Sequence, residues 1–168
     1  MKNIFGGKGA SLMLLDKYFN VPKFIIITYD FYERFIKYNN IEDKINNILN
    51  NLDINNLLDS SNKLKSLFIN TDFNNIDKEK IFNLTYSIKS KTVSVRSSAI
   101  VEDSKKNSWA GHFDSYLNVN ISEIYSRIIG VYSSLFNERA LRYKINNNIT
   151  NDNYKMSVII QKMIASTN

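Results

Sequence analysis

Two clusters in this 168-residue chain carry residue types suited to phosphate. The longer runs from Thr92 to Val119. Thr92-Val93-Ser94-Val95 alternates like a strand, then delivers Arg96, Ser97 and Ser98 into a polar loop holding Glu102, Asp103 and the turn Ser108-Trp109-Ala110-Gly111. Alternation resumes from Ser115 to Val119. A guanidinium offers a planar fork of donors that matches phosphate oxygens, and a glycine lets backbone N–H groups come close to a ligand. The same residues also suit an ordinary hairpin with a charged loop. The second cluster, Gly6-Gly7-Lys8-Gly9, feeds the helix-like Ala10 to Leu15. Unpaired N–H groups and the dipole at a helix start attract anions, although a glycine turn with a surface lysine is the plain alternative. It is no P-loop: Lys2 stands where that motif needs its first glycine, and Gly9 where it needs Ser or Thr. Lys155 to Met163 alternates and thickens into the run from Val158 to Met163, which predicts a strand with one face buried.

Composition narrows the chemistry. No cysteine is present, so disulfides, thiolate zinc sites and cysteine nucleophiles are excluded, and the one histidine, His112, cannot make a histidine cluster. Hydrophobic residues at 43% and aromatics at 12% argue against wholesale disorder. The longest apolar run, Phe24 to Ile27, is strand-sized, and the N-terminus lacks the apolar core of a signal peptide, so a soluble, cytoplasmic protein is expected. Net charge is +6, with 22 Lys and Arg against 16 Asp and Glu. The lysines are scattered through helix-like segments, which reads as a solvated surface with some preference for nucleotides. A basic nucleic-acid-binding module that stacks bases on Tyr and Phe is a further alternative, but those aromatics mostly sit at core-like spacing.

The positioning elements follow from periodicity. Phe24 to Thr28 reads as a buried strand, with Thr28 able to cap a helix from about Tyr29 to Tyr38. Ile41 to Leu52, Leu57 to Phe68 and Ile76 to Ile88 repeat apolar residues every three or four positions and predict three amphipathic helices joined by Asn- and Asp-rich turns. Ser122 could cap a helix running into Phe136, and Glu138 to Tyr143 predicts a further turn or two.

GGKGASL, then VRSSAIVED with WAGHFDSYLNV, then VIIQKM occur in a fixed order. In that order they resemble the nucleotide-binding domain of the phosphoenolpyruvate synthase and pyruvate phosphate dikinase family, shared with rifampicin phosphotransferases. VPKFIIITYDFYERFI and SSLFNERALRYKINN are similar to two further segments of that domain, so the likeness spans nearly the whole chain apart from residues 39–88. The resemblance implies an α+β fold, the N-terminal lobe of an ATP-grasp domain, with a mixed sheet and a helical layer. It places Lys8 on the lysine that reaches the ATP phosphates and Arg96 on the phosphate-binding arginine. Gly111 and Ser115 fall on the loop that covers the phosphates, and Gln161 on a nucleotide-contacting glutamine. Such enzymes pass phosphate from ATP to a histidine on a swivelling domain and on to pyruvate, phosphate or an antibiotic hydroxyl.

His112 is not in the sequence context of that histidine. Glu102 and Asp103 suit a loop-positioning role better than a magnesium site, and Trp109 and Phe113 are expected to pack the loop. No catalytic and no metal-binding residue is assigned. Residues 1–168 are expected to be a single truncated ATP-binding domain without the second lobe, the histidine domain or the phosphoenolpyruvate barrel. Magnesium is expected for the complete enzyme, with its ligands outside this chain. The expected partners are ATP and a separate chain carrying the missing lobe and the phosphohistidine domain. A non-catalytic remnant that binds nucleotide weakly is the alternative.

Overall fold

The computed structural model describes residues 2–99 and 113–164, with side chains from residue 4 onward. Gly111, His112, Glu102, Asp103 and Trp109 therefore lie outside the described residues. Four strands form one sheet: β1 (Phe24–Ile27), β2 (Thr92–Ala99), β3 (Ser115–Asn120) and β4 (Met156–Lys162), in the spatial order β1-β4-β2-β3. Seven α-helices accompany it among the described residues: α1 (Lys2–Leu15), α2 (Tyr29–Tyr38), α3 (Glu42–Asn50), α4 (Leu57–Ser66), α5 (Asn75–Tyr86), α6 (Ile124–Ser133) and α7 (Glu138–Asn146). The α+β class is as expected.

Within the described strands the sheet is antiparallel throughout, where a mixed sheet was expected. The reason lies in the connections. β1 and β2 point the same way and are joined through α2 to α5, but β4 inserts between them. β3 and β4 likewise share a direction, joined through α6 and α7, with β2 between them. Two helical crossovers thus interleave, and every immediate neighbour runs antiparallel.

Alternation sends one face of the sheet into the core. Val93, Val95 and Ala99 of β2 share that face with their partners Ile160 and Met156, and Ile27 shares it with Val158. All seven are wholly buried or nearly so. Against them α2 and α6 bring Tyr32, Phe35, Ile128, Val131 and Tyr132. Phe35 lies 4.9 Å from Phe73, 5.5 Å from Tyr132 and 6.0 Å from Phe68, ring centre to ring centre. Each such buried ring contributes roughly 1.5–3 kcal/mol to holding the helical layer on the sheet. Asp77, nearly sealed, ties α5 to α2 by accepting from Arg34 Nε and Nη2 at 3.0–3.2 Å, and it also accepts from Asn74 Nδ2 at 2.9 Å.

Four local features depart from the sequence expectations. α1 starts before the glycines and kinks at Gly6. β2 continues through Ala99, so Arg96, Ser97 and Ser98 lie within a strand rather than in the loop. Thr28 occupies the N-cap of α2, but its hydroxyl donates to Asp30 instead of accepting from the helix. Ser122 sits inside a 3-10 turn, Ile121–Glu123, and Glu123 holds the N-cap of α6.

Candidate nucleotide site

Residues directly opposed in an antiparallel ladder point to the same face, and every second residue of a strand does too. Ser94 opposes Gln161, Arg96 opposes both Ile159 and Ser115, and Ser98 opposes Ser157. These residues therefore share the face that turns away from the aromatic core. Arg96, Ser115 and Gln161 come together on it. On simple spacing Gln161 stands ~8 Å from Arg96 and Ser115 ~5 Å, taking ~3.4 Å per residue and ~4.8 Å per strand.

Ser115 reaches this face through a bulge. Val93 pairs with Val119 and Val95 with Tyr116, so three steps on β3 oppose two on β2, and Asn118 takes φ 55°. The extra residue lets Tyr116 and Val119 both serve the core face, which turns Ser115 toward the Arg96 side. Strict alternation would have put Ser115 on the same face as Val119.

α1 lies across the same face. The Ser98 hydroxyl donates to Phe5 O at 2.7 Å and accepts from Gly9 N–H at 2.9 Å, while the Ser157 hydroxyl donates to Ile4 O at 2.9 Å. Gly6, at φ 68° and ψ 173°, occupies backbone space that essentially glycine alone adopts. A β-carbon there would stand 2.2 Å from Ser98 O. The glycine turn is thus seated on β2, and Lys8 enters beside the strand position two residues from Arg96. Lys8 is partly buried.

Arg96 is exposed, and its side chain makes no hydrogen bond or ion pair with the other described residues. Gln161 is half-buried, and its Nε2 donates to Pro22 O at 3.2 Å. Beyond it, at the end of β4, opens a cleft of about 710 Å³ whose lining includes Val21, Pro22, Ile88 and Met163 with Lys23 and Lys162. An apolar lining beside lysines suits a flat ring joined to an anion. Sequence reasoning missed this cleft, although the single proline before β1 and the Met that follows Gln161 were the available signals. Among the described residues no group of three or more His, Asp or Glu is placed to hold a metal ion. No helix among them is long and apolar enough to cross a membrane.

Comparison with known proteins adds a family. The family model described as "Pyruvate phosphate dikinase, AMP/ATP-binding domain" matches residues 2–168. The chain is similar to the probable phosphoenolpyruvate synthase of Methanocaldococcus jannaschii, at 32% identity over 96% of this chain and 15% of that protein. It is similar to the probable phosphoenolpyruvate synthase of Staphylothermus marinus at 31% identity, over 97% of this chain and 21% of that protein. The phosphoenolpyruvate synthase of Deinococcus radiodurans is 32% identical over 97% of this chain and 22% of that protein. The chain therefore spans between 15% and 22% of the length of these three relatives.

Proposed function

We propose, from the premise that the chain belongs to the pyruvate phosphate dikinase AMP/ATP-binding domain family, that it binds ATP on the sheet face carrying Arg96. The phosphates lie over Arg96 and Ser115 with Lys8 alongside, and the base end extends past Gln161 toward the cleft at Met163. The observation that carries this reading is the exposed Arg96, which has no partner among the described residues and shares its face with Ser115, Gln161 and the seated glycine turn. A guanidinium held on a strand presents a planar fork of donors that matches phosphate oxygens.

Phosphoryl transfer depends mostly on positioning and charge neutralisation, so cations and N–H donors matter more than nucleophiles. Arg96 and Lys8 supply charge, Ser115 a hydroxyl, Gly111 backbone access, and Gln161 a contact toward the nucleoside. The resemblance implies that the remaining functions fall to polypeptide outside residues 1–168, whether joined to this chain or separate: a second ATP-grasp lobe, a histidine that accepts the phosphoryl group, and an acceptor site for pyruvate or a related compound.

Calorimetric titration of the 168-residue chain with ATP tests the proposal, together with a magnesium-dependent ATP–AMP exchange assay. Binding without exchange is expected, because one lobe cannot neutralise the γ-phosphate. Absence of ATP binding would overturn the site, and robust exchange would overturn the division of labour.

A further inference from the structure

We infer that Ser98 and Ser157 form a hydroxyl clamp that positions Lys8 over the nucleotide face, an inference that rests on the ATP-binding reading above. Both serines are fully buried, with 0% of their surface exposed. A hydroxyl sealed between apolar strands is costly unless its hydrogen-bonding capacity is used. Here it is used on one element. Ser98 bonds Phe5 O and Gly9 N–H, and Ser157 bonds Ile4 O.

The choice of backbone groups is informative. Phe5 O and Gly9 N–H are four residues apart, the pair that a regular helical turn joins to each other. The Ser98 hydroxyl bonds both, at the place where α1 kinks. A side chain inserted into the helical ladder is an established cause of a kink, and Gly6 beside it adopts the matching glycine-only backbone. The close approach also leaves no room for a side chain at Gly6, whose β-carbon would stand 2.5 Å from Ser98 Oγ.

Lys8 consequently sits between anchored neighbours: Ile4 and Phe5 on one side, Gly9 on the other. The second anchor point, Ser98, lies on the same strand and the same face as Arg96, two residues away. The hydroxyls thus fix the turn that carries Lys8 against the strand that carries Arg96. Ser98 and Ser157 are positioning residues: they act on ATP through Lys8 and touch no ligand themselves.

The test combines amide exchange and a binding cycle on the 168-residue chain. In Ser98→Ala the Gly9 amide should exchange rapidly while those of Val95 and Ile160 stay protected. ATP affinity should fall by up to the loss seen in Lys8→Ala, about tenfold for one hydrogen bond to a charged group. Combining Ser98→Ala with Lys8→Ala should bind ATP no more weakly than Lys8→Ala alone. Ser98→Cys, whose thiol is somewhat larger than the hydroxyl and a much weaker hydrogen-bonding group, serves if the alanine variant does not fold, and it should show the same pattern. Ser157→Ala should reproduce the loss of affinity in smaller measure. A Gly9 amide that stays protected without the hydroxyl overturns the clamp. Independent, multiplying effects of Ser98 and Lys8 overturn the positioning role and leave Ser98 as a packing residue. A wild-type chain that fails to bind ATP refutes the nucleotide reading and with it the role of Lys8. Gly9 exchange then judges the seating of α1 separately.

Discussion

Replacement of Arg96 by alanine separates ligand binding from folding more cleanly than any other change at this face. The side chain is exposed and has no partner among the described residues, and the pairing of residue 96 with Ile159 and Ser115 runs through the backbone. The variant should therefore fold with a stability within about 0.5 kcal/mol of the wild type, as surface changes usually do. Binding is a different matter. A hydrogen bond to a charged group contributes about 1.5–3 kcal/mol. Loss of the guanidinium should thus weaken ATP by about tenfold to about 150-fold, at roughly 1.4 kcal/mol per factor of ten. Arg96→Lys keeps the charge but not the planar fork, and it should fall between the two. Calorimetry with ATP gives the affinity, and urea melting of the same samples gives the stability. Equal affinity for wild type and Arg96→Ala would remove Arg96 from the site. A loss of stability as large as the loss of affinity would show that the residue acts through the fold.

Gly6→Ala should lower stability by at least about 2 kcal/mol, because glycine-only backbone strain costs 1–3 kcal/mol and the methyl would collide with Ser98 O besides; an unchanged urea midpoint would refute this. Asp77→Ala should cost about 1.5–3 kcal/mol, below the full penalty of a broken buried pair because Arg34 remains 41% exposed to water. Thermal melting checks it, and a loss under about 0.5 kcal/mol, the usual surface value, would contradict it. Alkaline pH should unfold the protein. Burial first of all raises the phenols of Tyr32, Tyr132 and Tyr154 above the ordinary value of 10.0. Below that value both states keep the proton and the contribution is fully present. Above it the unfolded chain releases protons that the folded chain retains, so stability falls by about 1.4 kcal/mol per tyrosine per pH unit. Burial lowers Lys144, so as pH climbs toward its unfolded value of 10.5 the folded chain gives up a proton first and stability rises there. Urea melts should thus show a maximum near pH 10 followed by a steep fall that Tyr132→Phe makes shallower, and a flat profile up to about pH 12 would refute the assignment.

Much of the fold was legible because helices and strands are written in periodicities of near neighbours. Ile45 and Leu49, or Leu57 and Leu64, recur at helical spacing, and α3, α4 and α5 lie within about two residues of the expected segments, the scatter usual at helix ends. The candidate site residues were proposed on local grounds too: Arg96 and Lys8 are cations suited to phosphate, and Gln161 stands in a motif that the resemblance singled out. What the chain order does not contain is which residues face each other. Insertion of β4 between β1 and β2 makes the sheet antiparallel, and the bulge at Asn118 turns Ser115 toward Arg96. The seating of Phe5 and Gly9 on Ser98 converts a glycine run that reads as a flexible anion turn into an anchored kink. Each of these outcomes rests on pairing between segments up to about 150 residues apart, where one residue of register moves a side chain through the sheet to its other face. Residue types determined what chemistry was available, and long-range register decided which of them could act on one ligand.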